Sequence, residues 1–288
     1  MFKTIPYISE KIWGYEHWIV STHKVGQSLI DGATEFIGGK KVTKVLGNNY
    51  PLLVKVIQAN ENLSVQVHPD DEYAKQVENT YGKTECWYVL DAKPGATLVC
   101  GLNKKYTAEE LRVAIANNKL QNFLRSVPVS KGDFVFIPAG TVHTIQQGIK
   151  VLEIQEPSDI TYRLYDWGRG RQLDVEKGIQ VIKDIAPSVI KDFNGDFDCN
   201  YFKLQKIDCS ADSKITFLEA IQNANGDKKE TPAGKTGWVS FFVLSGTAYL
   251  ESNSGEKLSV KTEDTIMVHV EEVLSVKKAE NFSIMKIL

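Results

Sequence analysis

The segment GDFVFIPAGTVHTI, residues 132–145, constrains the fold of this chain more than any other stretch. It opens on a Gly-Asp pair that favours a tight turn, and Phe134–Ile137 follow as a short apolar run with high β propensity. Pro138 and Gly140 then interrupt the strand and redirect the chain. The segment therefore predicts a β-hairpin that ends by presenting His143.

A second strand pattern, LSVQVHP at residues 63–69, carries two polar side chains on one face. Residues i and i+2 of a strand point the same way, so Gln66 and His68 share a face while Val65 and Val67 point to the other. This pattern is typical of a strand in a barrel with a polar mouth. A solvated strand face explains it equally well, because a lone histidine is more often satisfied by hydrogen bonds than bound to a metal.

Glu85, in the segment GKTEC, can join Gln66, His68 and His143 in a set of four ligands. Zinc favours histidine nitrogen and carboxylate oxygen, and a catalytic zinc keeps one position open. With one carboxylate, such a site keeps residual positive charge that can stabilise a developing oxyanion. Manganese or cobalt would also be tolerated by the oxygen ligands. We predict a catalytic site with one Zn²⁺ per chain.

Composition places the chain among ordinary globular proteins. It has 288 residues, of which 42% are hydrophobic and 24% charged, so we expect one or two domains. The formal net charge of −2 implies no general attraction to nucleic acid or to an anionic membrane. Four cysteines without a C-x-x-C pair, and an N-terminal segment without a hydrophobic signal core, predict a reduced, cytoplasmic setting.

Strand patterns dominate the first part of the chain, and two of them suggest a hairpin. Residues 85–90 and 96–100 flank the turn sequence Lys-Pro-Gly, so we expect these two strands to pair. The strands predicted before residue 170 cover 51–58, 63–68, 85–90, 96–100, 134–137, 143–146, 150–155 and 161–165.

Helical patterns are few, and one has a clear start. Thr107 as N-cap with Glu110 at the third position forms the capping-box pattern. We expect a short helical insertion at about residues 107–125. The predicted helical segments are 70–79, 107–117, 120–125 and 174–182.

The C-terminal part of the chain carries only β patterns. WVSFFVLSGTAYLES, residues 238–252, predicts two strands around Ser245 and Gly246. This part lacks a Gln/His/Glu set, and we expect His269, in an apolar strand, to be structural. The polar segment 223–232 is expected to be an exposed loop.

Pro187, which follows the last predicted helix, marks the boundary that we predict between two domains. Residues 1–187 would form the catalytic domain with the metal site and the helical insertion. Residues 188–288 would form a second, degenerate β-domain.

Arginine is scarce, yet three arginines fall close together in TYRLYDWGRGR, at Arg163, Arg169 and Arg171. A solvated basic loop explains this cluster. An anion-binding edge also explains it, since the planar guanidinium suits phosphate. The sequence leaves both interpretations open.

Four segments in order resemble the type I mannose-6-phosphate isomerase (phosphomannose isomerase) family, in its short bacterial form. They are PLLVKVIQANENLSVQVHPDDEYA, GKTECWYVL, GDFVFIPAGTVHTI and SDITYRLYDWGR. The spacing G-x5-P-x-G-x2-H also resembles the second motif of the cupin superfamily. The resemblance implies a mostly β fold of two cupin-like jelly-roll β-barrels, the second degenerate, with only a short helical insertion.

The resemblance also implies roles for ten residues, four of which agree with the ligand set above. Arg163 would be an active-site arginine, and Lys55, inside an apolar strand, would need a partner because burying a charge alone is costly. The implied zinc ligands are Gln66, His68, Glu85 and His143. The implied pocket residues are Arg163, Lys55, Lys83, Glu153, Ser64 and Asp159, the last two more weakly.

The implied reaction is the reversible interconversion of mannose 6-phosphate and fructose 6-phosphate through a cis-enediol. Such chemistry needs a base beside the carbon acid and stabilisation of the enediolate. Glu153, Lys83 and a metal-activated water remain candidate proton carriers, with Glu153 or the water preferred. The partner would be a small phosphosugar, and the sequence does not decide the oligomeric state, although a monomer is compatible with it.

Two other functions remain as alternatives. One is a different metal-dependent cupin enzyme, such as another sugar-phosphate isomerase or a dioxygenase. The other is a non-catalytic sugar-binding cupin, for which broken metal ligands are expected. The intact set of four ligands and the nearby basic residues favour the isomerase.

Overall fold

β-Strands make up most of the regular structure in residues 1–31, 38–216 and 236–288, which the computed structural model describes. The predicted mostly β fold is confirmed. The loop predicted at residues 223–232 lies outside the described residues. None of the described helices has the length and the apolar composition to span a membrane.

Within the described residues, the strands fall into three antiparallel sheets and the helices are short. The strands are β1 Phe2–Ile5, β2 Tyr7–Lys11, β3 Gly14–Val20, β4 Leu29–Asp31, β5 Leu53–Ala59, β6 Val65–Val67, β7 Glu85–Ala92, β8 Thr97–Leu102, β9 Leu124–Pro128, β10 Phe134–Ile137, β11 His143–Ile145, β12 Ile149–Gln155, β13 Tyr162–Tyr165, β14 Ser188–Ile190, β15 Asp196–Asp198, β16 Lys203–Cys209, β17 Lys214–Ile215, β18 Trp238–Ser252, β19 Lys257–Lys261, β20 Thr265–His269 and β21 Leu274–Ile287. The helices are α1 Thr43–Leu46, α2 Asp71–Val77, α3 Ala108–Ala116 and α4 Val175–Val181, with a 3₁₀ turn at Leu120–Phe123.

Two compact units divide the chain. One contains residues 8–17 and 54–193, and the other contains residues 1–7, 18–53 and 194–288. The units interleave along the sequence, because β1 pairs with β20 and with β4 within the second unit. A division into folding domains near residue 187 stays a prediction, which limited proteolysis would test.

Two sheets close around a shared core in the unit formed by residues 8–17 and 54–193. One sheet has the strand order β14-β10-β7-β12-β5-β3-β2, and the other has the order β13-β6-β11-β8-β9. Ile57 and Trp87 of the first sheet lie in one buried apolar cluster with Leu98 and Ile145 of the second. Apolar side chains facing each other across two antiparallel sheets are what a jelly-roll barrel requires.

The outer face of the five-stranded sheet packs against the helices. Val65 and Val67 of β6 are fully buried in a cluster with Leu111 and Ile115 of α3. Since neighbouring residues of a strand point to opposite faces, Gln66 lies on the inner side of the sheet. The alternation predicted for this strand is therefore confirmed.

The helical insertion begins as predicted and ends differently. Thr107 caps α3 with a complete capping box to Glu110. The second predicted helix is only a 3₁₀ turn at Leu120–Phe123, because the chain then enters β9 and pairs with β8.

The two hairpins predicted at residues 85–100 and 132–145 are both wrong. β10 pairs with β7 and β14, whereas β11 pairs with β6 and β8 in the other sheet. Likewise, β7 does not pair with β8, because β10 and β12 already occupy its two edges. Each turn therefore carries the chain from one sheet across to the other, and this crossing brings residues of both sheets to one end of the barrel.

The second unit contains a nine-stranded sheet with its own apolar core. The two strands predicted around Gly246 are wrong, because residues 238–252 form one continuous strand, β18. Its register against β21 shifts between Val243 and Tyr249. Gly246 has a φ of 77°, and an added Cβ would lie 2.2 Å from the carbonyl oxygen of Glu280. Bulges at this point bend the strand without ending it.

Candidate metal centre

Three metal-ligating side chains converge inside the first barrel. His68 directly follows β6, Glu85 begins β7 and His143 begins β11, so both sheets contribute. One ligand atom of each residue lies within 4.8 Å of the others, and all three side chains are buried. His143 Nε2 is 3.3 Å from Glu85 Oε1, and His68 Nε2 is 3.7 Å from Glu85 Oε2. The structure thus brings together three of the four predicted ligands as one set.

Backbone carbonyl groups orient both histidine rings. His68 Nδ1 donates to the carbonyl of Ile160 at 2.7 Å, and His143 Nδ1 donates to the carbonyl of Thr141 at 2.8 Å. These bonds leave the lone pair on each Nε2, directed towards Glu85. Burial lowers the pKa of His143 to about 4 and the pKa of His68 well below its usual value, so both rings are neutral near pH 7.

The inner atoms of the His68–Glu85–His143 cluster fit a cation. His68 Nε2 and Glu85 Oε1 are buried and have no hydrogen-bond partner. Histidine lone pairs therefore face carboxylate oxygens, and a buried polar atom without a partner costs free energy. A divalent cation between the three side chains would satisfy all of these atoms, and nitrogen with carboxylate oxygen is a donor set that zinc accepts.

Gln66 lies beside this cluster at the position expected of a fourth ligand. It is the register partner of His143 across β6 and β11, and its amide nitrogen is 3.3 Å from His143 Nε2. The amide oxygen and nitrogen exchange places when the side chain rotates by half a turn. An oxygen contact from Gln66 to a bound metal remains a prediction.

Lys83 is the first basic side chain next to the cluster. Its Nζ lies 2.9 Å from Glu85 Oε2, and both side chains are buried. Burial and the nearby Glu153 raise the pKa of Glu85 to about 7, although Lys83 acts in the opposite direction. The ammonium group of Lys83 therefore lies against the Glu85 carboxylate, and a metal ion would bring a second positive charge to the same carboxylate.

Lys55 has the buried partner that its position in an apolar strand required. Its Nζ lies 3.0 Å from Glu153 Oε1, and the other oxygen of Glu153 accepts the indole N–H of Trp87 at 3.0 Å. Burial alone would raise the pKa of Glu153, but Lys55 and Lys83 outweigh it and lower this pKa to about 2. Glu153 is thus an ionised carboxylate with both oxygens engaged.

Trp87 is a site residue that sequence reasoning missed. Besides its bond to Glu153, its ring lies edge-on to His143, with 5.5 Å between the ring centroids. The alternation of β7 does contain a signal, because Trp87 is two residues after Glu85 and shares its face. A tryptophan in a strand is more often a residue of the apolar core, so the sequence alone does not indicate a partner for its N–H.

Arg163 faces the interior of the barrel. It is the register partner of Gln66, and its neighbours Tyr162 and Leu164 belong to the apolar cluster outside the sheet. Its Nη1 donates to the carbonyl of Gln172 at 2.8 Å, whereas its Nε is buried without a hydrogen-bond partner. One edge of the guanidinium is therefore held in place.

The remaining predicted residues are less closely tied to the cluster. Ser64 is buried, directly before β6, whereas Asp159 is exposed in the loop between β12 and β13. Arg169 and Arg171 both pair with Asp166, at 2.9 and 2.5 Å. Each of these two arginines thus has a carboxylate partner. Such a contact is compatible with a solvated basic loop and with an anion-binding edge.

Comparison with known proteins finds relatives in both sequence and structure. A family profile described as the type I phosphomannose isomerase catalytic domain matches residues 1–99. A mannose-6-phosphate isomerase from Streptococcus mutans is 41% identical over 182 residues, covering 58% of this chain and 57% of that protein. The chain therefore spans less than two thirds of that relative in the alignment.

Two further similar proteins come from Bacillus subtilis. The mannose-6-phosphate isomerase ManA is 38% identical over 218 residues, covering 64% of this chain and 68% of that protein. The crystal structure of a mannose 6-phosphate isomerase from the same organism has a TM-score of 0.81 at 23% identity, covering 100% of this chain and 99% of the other. The structural match confirms the fold. With this degree of identity and coverage, the chain belongs to the type I phosphomannose isomerase family.

Proposed function

We propose that this protein is a metal-dependent aldose–ketose isomerase that interconverts mannose 6-phosphate and fructose 6-phosphate. The observation that carries the proposal is the buried His68–Glu85–His143 cluster, in which His68 Nε2 and Glu85 Oε1 lack hydrogen-bond partners, in a chain of this family. We also propose a cytoplasmic location, because phosphorylated sugars are charged metabolites that are retained inside cells.

The proposed metal is Zn²⁺, one per chain, held by His68, Glu85 and His143 with Gln66 as the fourth ligand. Its support is the donor set of two imidazoles and one carboxylate, with hydrogen bonds that orient both rings. A bound divalent cation supplies Lewis-acid polarisation to a substrate oxygen. The four side chains hold and orient it.

Three basic side chains are proposed to attract and orient the anionic substrate. Lys55 and Lys83 are buried in the barrel, and Arg163 faces its interior. Their ammonium and guanidinium groups suit an anionic substrate. Arg163, with one unpartnered N–H, is proposed to stabilise negative charge that develops on the substrate oxygens. Ser64 and Asp159 are proposed to contact the sugar.

Glu153 and Lys83 are the proposed proton carriers, and the structure sets a condition for each. Glu153 is a weak base while Lys55 and Trp87 hold its two oxygens. It becomes a stronger base only if a bound phosphosugar draws Lys55 away from it. Lys83 in turn has to release its contact with Glu85, 2.9 Å away.

The experiment that tests the substrate follows conversion of mannose 6-phosphate by nuclear magnetic resonance in D₂O with zinc-loaded protein. Glucose 6-phosphate, ribose 5-phosphate and unphosphorylated mannose serve as matched substrates. We expect turnover of mannose 6-phosphate to exceed that of each other sugar by at least about 100-fold, because binding at the phosphate and at C2 contributes to the transition state. Preference for a different phosphosugar would replace the proposed substrate, and binding without any turnover would favour the sugar-binding alternative.

A further inference from the structure

Glu156 is a buried carboxyl group beside the segment that leads into Glu85, and it has no part in the proposed reaction. Glu156, just after β12, is only 4% exposed. Its Oε2 accepts the backbone N–H of Thr84 at 2.6 Å, and its carboxyl group faces that of Asp71, which is exposed at the start of α2. Thr84 is the residue directly before the metal-ligating Glu85.

Residues 81–84, the segment that leads into Glu85, are held by hydrogen bonds on both sides. Gly82 N–H donates to Asp71 Oδ1 at 2.8 Å, and Lys83 N–H donates to the carbonyl of Pro69 at 3.0 Å. From the other side, Ser158 Oγ donates to the carbonyl of Tyr81 at 3.0 Å. Residues 81–84 are thus held by the start of α2 and by the turn after β12.

The fit around Gly82 shows how close this contact is. An added Cβ at Gly82 would lie 2.5 Å from the backbone nitrogen of Asp71. This distance is too short for any side chain to fit. The segment therefore lies directly on the backbone of α2. A small displacement of Asp71 or Glu156 would be transmitted to Lys83 and Glu85, because interiors are close-packed.

Two facing carboxylates repel each other, and a proton on one of them removes this repulsion. Glu156 is the group that holds this proton, since burial and the facing Asp71 charge raise the pKa of Glu156 to about 8, although the Thr84 N–H acts in the opposite direction. Asp71 already accepts from the Gly82 N–H. In this arrangement Glu156 accepts from the Thr84 N–H and, as a neutral acid, carries a donor for Asp71.

We propose that Glu156, as a neutral carboxylic acid that faces Asp71 and holds the Thr84 N–H, is a positioning residue that sets the placement of Lys83 and Glu85. The inference rests on the proposed function only where activity is concerned, because placement of Glu85 is also visible in metal binding. Partners outside the ligand shell typically change metal affinity or activity by about 10–100-fold when they are removed.

The test compares Glu156→Leu with Glu156→Gln. Leucine has a similar volume but cannot accept from Thr84, whereas a glutamine amide accepts from Thr84 and, like the neutral acid, carries a donor for Asp71. Zn²⁺ affinity of the metal-free protein is measured by isothermal titration, and kcat and KM for mannose 6-phosphate are measured separately. Glu109→Gln, on the exposed face of α3, is the matched control.

We expect Glu156→Leu to weaken Zn²⁺ binding by about 10-fold or more and to lower kcat, with Glu156→Gln recovering most of both and Glu109→Gln unchanged. Equal losses in the Gln and Leu variants would overturn the proposal, because a charged Glu156 would then be required. Unchanged Zn²⁺ affinity in the Leu variant would also overturn it. If Glu156→Leu fails to fold, loss of affinity in a folded Glu156→Gln variant would still refute the neutral-acid role.

The two proposals fail separately in this design. If the wild-type protein binds Zn²⁺ but converts no mannose 6-phosphate, the proposed function is wrong, while the titrations still decide the role of Glu156. If turnover is normal in wild type and in both Glu156 variants, the positioning role is wrong and the function stands.

Discussion

At the scale of single residues, the metal centre depends on atoms of two kinds, and the sequence predicts only one of them. Strand alternation puts Gln66 and His68 on one face, because side-chain direction follows directly from residue spacing. The carbonyl groups of Ile160 and Thr141, which orient the histidines, belong to the backbone. Any residue carries a carbonyl, so no sequence pattern marks these two.

The buried pair of Lys55 and Glu153 makes a prediction about stability. Lys55→Met leaves the Glu153 carboxylate buried beside Trp87 without its main counter-charge, and we expect a loss of about 3–5 kcal/mol in the free energy of unfolding. The double variant Lys55→Met/Glu153→Gln removes both charges and should lose less than the sum of the two single variants. Urea denaturation of all four proteins measures this coupling, and additive losses would show that the pair does not interact.

Glu156 makes stability depend on pH. Its pKa is raised from 4.5 to about 8, mainly by burial and by Asp71, which faces it from α2, while Thr84 acts against this shift. The folded protein thus holds this proton more tightly than the unfolded chain, so the contribution is fully present below about pH 4.5 and is lost as pH rises through about 8. Urea denaturation of metal-free protein should show this decrease, and Glu156→Gln should make the curve flatter. An identical pH dependence in the variant would contradict the assignment.

At the scale of elements, the sequence predicts which residues form strands better than which strands pair. β10, α3 and α4 lie within a residue or two of their predicted bounds, because apolar periodicity and the capping box at Thr107 are local signals. The hairpins were wrong because a turn such as Pro138–Val142 looks the same whether it joins neighbours in a sheet or crosses between sheets. Pairing depends on which strand edges are already occupied, and that is a property of the whole barrel.

The crossing before His143 makes a prediction about backbone strain. Gly140 has a φ of 95°, and an added Cβ would lie 2.9 Å from the carbonyl oxygen of Val181. Gly132 has a nearly equal φ of 94° but no atom within 4 Å of its Cβ position. Both alanine variants should lose about 1–3 kcal/mol through the backbone conformation, and Gly140→Ala should lose more because of the contact. Thermal unfolding followed by circular dichroism compares the two, and equal losses would contradict the packing argument.

At the scale of the whole molecule, the fold class was predictable from the sequence, whereas the division of the chain into its two compact units was not. Runs of alternating and apolar residues indicate a mostly β protein, and the order of motifs indicates its family. That residues 18–53 group with residues 194–288 follows from long-range pairing such as β1 with β20, for which a single sequence carries no local signal. The motifs that suggested a metal site lie within one of the two units, where His68, Glu85 and His143 come together.

The central claim, that the His68–Glu85–His143 cluster holds a metal needed for isomerisation, is tested most directly by chelation and metal restoration. Mannose 6-phosphate turnover would be measured before EDTA treatment, after it and after addition of Zn²⁺, in the wild type, in His143→Ala and in the control His269→Ala, whose side chain is partly exposed. We expect activity to be lost on chelation, restored by Zn²⁺ in the wild type and the control, and to be at least about 100-fold lower in His143→Ala throughout. Full activity after complete removal of the metal, or in metal-free His143→Ala, would contradict the claim.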